Sequence, residues 1–500
     1  MDFLTSSLLC LLLAWLLVQA FNSIRNGNKS SESKLPPGPR RLPILGNILD
    51  LGDKPHRSLA KLAQIHGPVM SLKLGSLITV VVSSETMAKE VLQKQDLFFS
   101  NRTILDAVRA TRHHEVGMTW IPVSPLWRTF RKLCNSHIFT AAKLDANEYL
   151  RRDKIRQLIA DVRRSCLKGE AISIGQAAFN ATINLLSNTV FSVDLVDPNS
   201  SDAQEFRKTV WGIMAEAGKP NLADYFPLLQ KLDPQGIRGR MTVHFQKLLH
   251  LFGQLFDERS QSRKSQNSTA SNDVLDTLLD IIEGGVEKLN RNHIVHLFLV
   301  LFVAGTDTTS STLEWAMAEV LRNPQVLLKA KKELEEAIGK GNPIEECDIN
   351  RLPYLQAIIK ETFRMHPVVP LLLPRRAGCD ADLCGYKVPE GSQVFVNVWA
   401  IGRDPSIWEN PNSFAPERFS GSEIDVKGRN FGLVPFGAGR RICPGLPLAS
   451  RMLHLMLGSL INSFDWELEG GVSPNEMNME EKFGITLQMA EPLRAIPVLV

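Results

Sequence analysis

Alternation of apolar and polar residues predicts a mainly helical chain with a few small β-sheets. Most of residues 85–330 carry apolar side chains at helical spacing. Residues 70–83 instead alternate and are rich in β-branched side chains, which predicts two strands joined by a turn at Gly75-Ser76. Further strand-like runs are Val368–Leu373, Tyr386–Val388, Gln393–Val398 and Phe483–Leu487. Because helices and strands do not alternate regularly, the pattern predicts a mainly α fold with small sheets (α+β), not a doubly wound sheet.

The N-terminus has the pattern of a membrane segment. Residues Phe3 to Phe21 are nearly all apolar and about long enough to cross a bilayer. Asp2 precedes the run and no suitable cleavage site follows it, which argues against a cleaved signal peptide. Basic residues follow, so the positive-inside rule places the body of the chain in the cytosol. We therefore predict a signal-anchor transmembrane helix over residues 1–22.

The segment after this helix is polar and then proline-rich. Residues 23–34 are polar, and four prolines between 36 and 43 exclude a regular helix or central strand. This composition predicts a linker and proline-rich hinge over 23–46, followed by a globular domain over 47–500. Within that domain, residues 260–273 are predicted to form a polar loop and residues 293–321 a long apolar helix.

Composition and charge exclude several classes of protein. The chain has 500 residues, 44% hydrophobic and 22% charged, which is typical of a globular protein. A net charge of +4 is too small to indicate nucleic acid as a partner. The seven cysteines include no CxxC pair, which disfavours a disulfide framework and a cysteine-type zinc site. A reducing, cytosol-facing environment fits this usage better.

One short stretch, FGAGRRICPG at residues 436–445, concentrates unusual residues. It does not match a dinucleotide-binding loop, because Ile442 stands where the third glycine of GxGxxG is needed. Gly437 and Gly439 permit a tight bend beside a flat ligand. Cys443 precedes an apolar helical run, where the free amides and dipole of a helix N-terminus stabilise a thiolate. From the residues alone, a thiolate ligand and an inert buried thiol both remain possible.

The same stretch resembles the haem-binding loop of the cytochrome P450 family. Its pattern FxxGxRxCxG is filled by Phe436, Gly439, Arg441, Cys443 and Gly445. The resemblance implies that Cys443 is the axial ligand of the iron in haem b, with the other four residues contacting the cofactor. A thiolate ligand favours cleavage of the oxygen–oxygen bond of O₂.

A second motif, AGTDTT at 304–309, lies inside the long apolar run. Thr308 can bond back to the carbonyl of Ala304 and open the helical ladder locally. From the residues alone, a proton relay and a kink of no consequence remain equally open. The resemblance implies that Asp307 and Thr308 deliver protons during oxygen activation, with Ala304 and Gly305 flanking the oxygen pocket.

Two further motifs agree with the family pattern. Glu361 and Arg364 lie three residues apart on a predicted helix, as in an ordinary surface ion pair. The resemblance implies instead a buried structural cluster completed by Arg418. It also assigns haem-propionate contacts to Trp127 and Arg131, which are helical neighbours, and to Arg375, which has Arg376 beside it.

The resemblance runs from Pro36 to the C-terminus and is closest to the plant microsomal terpenoid hydroxylases, on residues 216–238, 303–317 and 479–488. It implies an enzyme of the endoplasmic reticulum membrane that uses O₂ and electrons from NADPH through NADPH-cytochrome P450 reductase. Its expected substrate is a small terpenoid alcohol, geraniol or nerol, oxidised at the terminal methyl carbon. Arg128, Lys132 and Arg440 would offer positive charge for docking of the reductase. The implied substrate walls are 101–120, Phe298–Ala304, Val369–Leu373 and Ile485-Thr486.

Three alternatives remain open. One is a monooxygenase for a diterpenoid or phenolic substrate. Another is a hydroperoxide-rearranging haem protein that needs no reductase, which the Asp307-Thr308 pair disfavours. The third is a membrane haem- or sterol-binding protein without turnover. The pairs His293/His296 and His113/His114 form no recognised metal motif, and no GxSxG serine hydrolase motif occurs.

Overall fold

A computed structural model describes residues 35–196, 201–264, 273–285 and 288–499. Its α-helices are α1 Pro55–His66, α2 Glu85–Lys89, α3 Asp96–Phe99, α4 His113–Val116, α5 Pro125–Leu133, α6 Ala141–Ala146, α7 Glu148–Lys168, α8 Ile174–Phe191, α9 Ser201–Gly218, α10 Leu222–Tyr225, α11 Ile237–Arg263, α12 Val274–Glu283, α13 Arg291–Arg322, α14 Pro324–Ala337, α15 Pro353–Met365, α16 Val398–Ile401 and α17 Leu446–Ser463. The transmembrane helix predicted over 1–22 and the linker up to residue 34 lie outside the described residues.

The strands are short. They are β1 Val69–Leu74, β2 Leu77–Val82, β3 Asn101–Arg102, β4 Ile172–Ser173, β5 Arg375–Arg376, β6 Ala381–Leu383, β7 Tyr386–Val388, β8 Gln393–Val396, β9 Phe464–Leu468, β10 Glu481–Lys482, β11 Gln488–Met489 and β12 Arg494–Leu499. Single turns of 3-10 or π helix occur between them, including Asp106–Arg112, Cys134–Ile138 and Gly439–Arg441. The prediction of a mainly helical chain with small sheets is therefore confirmed.

The chain divides into two compact units. Unit 1 contains the residues up to Thr103, Asn221–Gln235 and Leu371–Ile401. Unit 2 contains Ile104–Pro220, Gly236–Pro370 and Gly402–Val500.

Unit 1 is built on a five-stranded sheet in the order β1-β2-β8-β5-β3. The predicted hairpin is confirmed: β1 and β2 pair antiparallel, and Gly75 makes the turn with a φ of 60°. The proline-rich segment lies along this hairpin, because Ser71 donates its amide to the carbonyl of Pro37 and its hydroxyl to that of Pro36. Residues 36 and 37 are thereby tied to the sheet.

Unit 2 is helical around α13, the long apolar helix that the sequence predicts. Asn290 caps its start by accepting the amide of His293. The helix packs against α8, α11 and α17. It is the helix within the described residues that is long and apolar enough to span a membrane, but 72% of its apolar window is buried in the protein. It is therefore a core helix.

Three details of the predicted pattern are wrong. Val368–Leu373 is not a strand, because the run is bounded by prolines and Leu372 has a φ of +50°. Phe483–Leu487 is the loop between β10 and β11, and its Leu487 carbonyl accepts bonds from side chains of α13 rather than from a strand. Helix α11 continues to Arg263, into the predicted loop at 260–273, of which 265–272 lie outside the described residues.

Candidate functional site

The loop at 436–445 folds back on itself in unit 2. Gly437 and Gly439 both have a φ of 68°, a left-handed backbone that favours glycine. The amide of Cys443 donates to the carbonyl of Phe436 over 3.0 Å and closes the loop. Helix α17 begins three residues later, at Leu446. The cysteine therefore lies directly before a helix N-terminus, as the sequence predicts.

Opposing effects act on the pKa of Cys443. The protein atoms crowded around its sulfur raise the pKa most strongly, although the residue keeps some accessible surface. The amides of Gly445 and Leu446, which donate to the sulfur, and the positive charge of Arg131 lower it. The expected thiolate-stabilising groups are therefore present, and they oppose the effect of burial on the pKa of the thiol. A bound metal ion deprotonates a coordinating thiol outright.

Trp127, Arg131 and Arg441 come together beside this loop. Ser124 caps helix α5 by accepting the amide of Trp127. Arg131 donates to the carbonyl of Ile442 over 2.5 Å. The guanidinium of Arg441 lies 4.9 Å from the centre of the Trp127 ring, a cation–π contact. The predicted propionate-binding residues thus adjoin the cysteine loop within the same unit.

The middle of α13 has accessible surface although most of the helix is buried. Ala304 is exposed and Thr308 is half-buried, next to fully buried Thr306 and Asp307. The Thr308 hydroxyl donates to the carbonyl of Ala304 over 2.6 Å, which confirms the predicted back-bond. An open space therefore adjoins this turn of the helix. Accessible surface at this turn and at Cys443, together with the amides of Gly445 and Leu446 that donate to the sulfur, is compatible with a metal-bearing ligand such as haem.

Gly305 has a packing role that the sequence did not predict. A Cβ atom at this position would lie 2.9 Å from Cδ1 of Leu186 on α8. The missing side chain therefore lets α8 approach α13 closely.

The Asp307 carboxylate points to the C-terminal segment of unit 2. Its Oδ2 accepts the hydroxyl of Thr486 over 2.6 Å, and its Oδ1 accepts the amide nitrogen of Gln488 over 2.8 Å. Burial raises the pKa of Asp307 to about 6, although both hydrogen bonds favour the charged form. The sequence pattern predicts neither partner, and Thr486, which the resemblance places in the substrate wall, is instead buried against Asp307.

Two predicted wall residues belong to the core instead. Phe298 lies 4.9 Å from Phe191 and Phe302 lies 4.8 Å from Phe252, measured between ring centres. Both are fully buried. Within the predicted wall Phe298–Ala304, accessible surface remains at Val300, Val303 and Ala304.

Glu361, Arg364 and Arg418 form a buried ion cluster. Arg364 donates to both oxygens of Glu361 over 2.7 and 2.8 Å, and Arg418 donates to one of them over 3.0 Å. The side chains of Glu361 and Arg364 have no exposed surface. Arg364 also donates to the carbonyls of Gly402 and Pro411, so the remaining donors of its guanidinium have partners. The cluster ties α15 to residues 402–418.

Arg375 belongs to unit 1 and is buried there. Its guanidinium lies 3.4 Å from the carboxylate of Asp96 and donates to the carbonyl of Phe99 over 3.2 Å. Burial lowers its pKa, while Asp96 raises it. The neighbouring Arg376 is exposed. The propionate contact assigned to Arg375 stays a prediction.

A histidine pair that the sequence analysis did not predict joins α4 to α13. Nδ1 of His113 lies 2.8 Å from Nδ1 of His296, so one ring donates and the other accepts. Burial, together with the neighbouring histidines, lowers their pKa values to about 3 and about 4. Among the described residues, no cluster of three or more His, Cys, Asp or Glu side chains could hold a metal ion.

Comparisons with known proteins cover almost the whole chain. The cytochrome P450 family model matches residues 36–493. A geraniol 8-hydroxylase from Catharanthus roseus is 56% identical over 497 residues, 99% of each chain. A drimenol monooxygenase from Persicaria hydropiper is 53% identical over 100% of this chain and 98% of its own. A 7-ethoxycoumarin O-deethylase from Helianthus tuberosus is 49% identical over 100% of this chain and 99% of its own.

Proposed function

The chain belongs to the cytochrome P450 family, and from that premise we propose that it hydroxylates a small terpenoid alcohol, geraniol or nerol, at the terminal methyl carbon. It is a monooxygenase whose haem iron activates O₂ with electrons from a reductase. The observation that carries the substrate proposal is the 56% identity, over 99% of both chains, to a protein named for geraniol 8-hydroxylation.

The cysteine loop would hold the haem, as haem b. Cys443 would supply the sulfur that binds the iron, with the amides of Gly445 and Leu446 stabilising its negative charge. Trp127, Arg131 and Arg441 adjoin the loop and would bind the anionic edge of the cofactor. Arg375 would add a propionate contact. Phe436, whose carbonyl accepts a hydrogen bond from the amide of Cys443 over 3.0 Å, would shield the sulfur.

Asp307 and Thr308 would move protons. The Thr308 hydroxyl faces the open side of α13, and its oxygen can accept a hydrogen bond while its proton is donated to Ala304. The pKa of Asp307, about 6, lies close to neutral pH, which suits a group that must both release and regain a proton.

We further propose that a membrane anchor over 1–22 and a linker and hinge over 23–46 attach the catalytic residues 47–500 to the endoplasmic reticulum. Unit 1 supports this, because several large apolar side chains are exposed on it. Leu228 is 93%, Leu232 73% and Leu49 67% exposed. Contact with a bilayer would remove these side chains from water, which is favourable.

NADPH-cytochrome P450 reductase is the proposed electron donor. Arg128, Lys132 and Arg440 are all exposed in unit 2. Arg128 and Lys132 are neighbours on α5, and the bond from Arg131 to Ile442 brings that helix next to the loop carrying Arg440. This positive cluster would attract an acidic partner.

Product analysis tests the proposal. Microsomes containing the chain and a plant reductase would receive NADPH and geraniol, with the Cys443→Ser variant as the matched control. We expect an NADPH-dependent hydroxygeraniol from the unmodified chain alone. A haem-loaded enzyme that yields no such product would contradict the substrate proposal.

A larger terpenoid or a phenolic compound is the second candidate substrate. The relatives named drimenol monooxygenase and 7-ethoxycoumarin O-deethylase, at 53% and 49% identity, favour it. The same microsomes would be given drimenol and 7-ethoxycoumarin. Turnover of either with no hydroxygeraniol would establish this candidate instead.

A further inference from the structure

The loop between β10 and β11 is fastened to one face of α13. Ser311 and Trp315 each donate to the carbonyl of Leu487 over 3.2 Å. The amide of Leu487 donates to the carbonyl of Val368 over 2.7 Å. Both backbone polar groups of Leu487 are therefore hydrogen-bonded, and the segment is held in one register against the helix.

The same face of α13 carries Asp307. Residues 307, 311 and 315 are four apart and therefore lie along one side of the helix. On the facing segment, Thr486 lies near the end of the loop and Gln488 begins β11. Each of the two donates to a different oxygen of Asp307, over 2.6 and 2.8 Å. Asp307 is 1% and Thr486 3% exposed, so water has little access to replace the Thr486 hydroxyl, whereas Gln488 is half-buried.

The carboxylate is consequently directed away from the open turn of the helix. Successive residues of an α-helix are about 100° apart around its axis. Thr308 and Ala304 have accessible surface, whereas Asp307 is buried against the segment at 486–488. The two members of the proposed proton relay therefore face different surroundings.

We infer that Thr486 and Gln488 are positioning residues for Asp307, which hold its carboxylate against the C-terminal segment and set the readiness of that acid to give a proton toward Thr308. The inference rests on the proposed role of Asp307 and Thr308 in proton delivery. Both donors favour the ionised carboxylate, and their loss leaves the effect of burial unopposed.

Other charged groups along this face are few. Glu314 lies two turns further on, and burial, with a smaller effect of Asp307, raises its pKa to about 7. Glu319 is bonded to His366 over 2.7 Å. The segment 483–489 has no ionisable side chain, and Glu481 and Lys482 precede it in β10. Within the described residues, Thr486 and Gln488 are thus the side chains that donate hydrogen bonds to the Asp307 carboxylate.

An infrared titration of the resting, haem-loaded enzyme tests the inference without turnover. The carboxyl band of Asp307 is identified by subtracting the spectrum of Asp307→Asn. Thr486→Val removes the hydroxyl at nearly constant volume, and we expect the midpoint pH of the band to rise by about one unit. Thr486→Ser, which keeps the hydroxyl, is expected to restore the midpoint. Thr182→Val is the matched control, since Thr182 is buried and bonds only within α8, to Ala178.

The same variants are compared for the share of NADPH electrons lost to peroxide. We expect Thr486→Val to raise that share, Thr486→Ser to restore it, and Thr182→Val to leave it unchanged. Adding Thr486→Val to Asp307→Asn is expected to have no further effect, because Thr486 acts through Asp307. Gln488→Met repeats the test on the other oxygen, should Thr486→Val fail to fold.

The outcomes separate this inference from the proposed function. If Asp307→Asn consumes NADPH as productively as the unmodified enzyme, the proton-delivery role of Asp307 is wrong. The positioning inference alone is overturned if Asp307→Asn diverts NADPH electrons to peroxide while Thr486→Val and Gln488→Met leave both the infrared midpoint pH and the peroxide share unchanged. A shifted midpoint with an unchanged peroxide share also overturns it, since proton delivery would then not depend on these contacts.

Discussion

At two residues of the site, burial disfavours the charged form of the side chain while hydrogen bonds favour it. The crowding around Cys443 raises the pKa of its thiol, while two amides and Arg131 lower it. At Asp307, burial raises the pKa to about 6, and Thr486 and Gln488 act in the opposite direction. Both groups are thus held by donors that favour their charged form in surroundings that disfavour it. This arrangement suits a metal ligand and a proton donor, respectively.

Thr308→Ala tests the proton relay at the level of one hydroxyl. We expect haem binding to persist and product formation to fall about ten-fold or more, because positioned proton transfer contributes at least that much. The electrons from NADPH should appear as peroxide instead. Thr312→Ala is the control, because Thr312 makes the same kind of bond one turn further along, to the carbonyl of Thr308. If Thr308→Ala still used its NADPH electrons for product rather than peroxide, the proton-relay role of Thr308 would be contradicted.

The buried histidine pair predicts a loss of stability in acid. His113 and His296 have folded-state pKa values of about 3 and 4, below the 6.5 of a free histidine. The unfolded chain therefore binds more protons than the folded one between these values, and stability falls as the pH drops through 6.5. Between pH 7 and pH 5 each histidine should cost about 2 kcal/mol of unfolding free energy.

Denaturant unfolding at the two pH values measures this loss. His113→Asn and His296→Asn should each lose less stability between pH 7 and pH 5 than the unmodified protein. The exposed His250 provides the control variant, His250→Asn. A pH dependence that is the same in all four proteins would show that the pair does not titrate as described.

Whole elements were predicted from the sequence where the local pattern decides the structure. The hairpin of β1 and β2 and the helix α13 follow from alternation and helical spacing, and both are confirmed. The run Phe483–Leu487 has the composition of a strand, but it became a loop because its polar groups pair with Asp307, Ser311 and Trp315. Such contacts between distant parts of the chain leave no periodic signal.

The ion cluster of α15 predicts that removing one charge greatly lowers the stability of the fold. Glu361→Gln leaves Arg364 and Arg418 without a counter-charge in the protein interior. We expect destabilisation by about 3–5 kcal/mol. Denaturant unfolding would measure it against Glu335→Gln, since Glu335 is exposed on the neighbouring α14. Equal stability of the two variants would show that the cluster contributes little to the fold.

At the scale of the whole molecule, the site residues come from distant parts of the sequence. Unit 2 brings α5, α13, α15 and the cysteine loop together, whereas Arg375 lies in unit 1. These residues could be identified in the sequence because they match family motifs. A motif, however, gives only the position of a residue and not its contacts in the folded protein. The pairing of His113 with His296 and the packing role of Gly305 follow from the tertiary contacts and could not be predicted from the sequence.

The rate at which the reductase reduces the enzyme tests whether the positive cluster is its docking site. Reversing Arg128, Lys132 and Arg440 to glutamate should slow the first electron transfer about ten-fold or more at low salt, because electrostatic steering controls the encounter rate. Stopped-flow reduction under carbon monoxide measures the rate, with Lys208→Glu, an exposed lysine on α9, as the control. Equal rates in the two variants would contradict docking at this cluster.

The most direct test of the account is the carbon monoxide difference spectrum of the reduced protein, recorded for the unmodified chain and for Cys443→Ser. We predict the spectrum of a thiolate-ligated haem for the unmodified chain and its loss in Cys443→Ser. A variant at another cysteine, Cys347→Ser, should keep the spectrum, because Cys347 is exposed and outside the loop. A thiolate-type spectrum that survives Cys443→Ser would contradict the assignment of Cys443 as the iron ligand and with it the site described above.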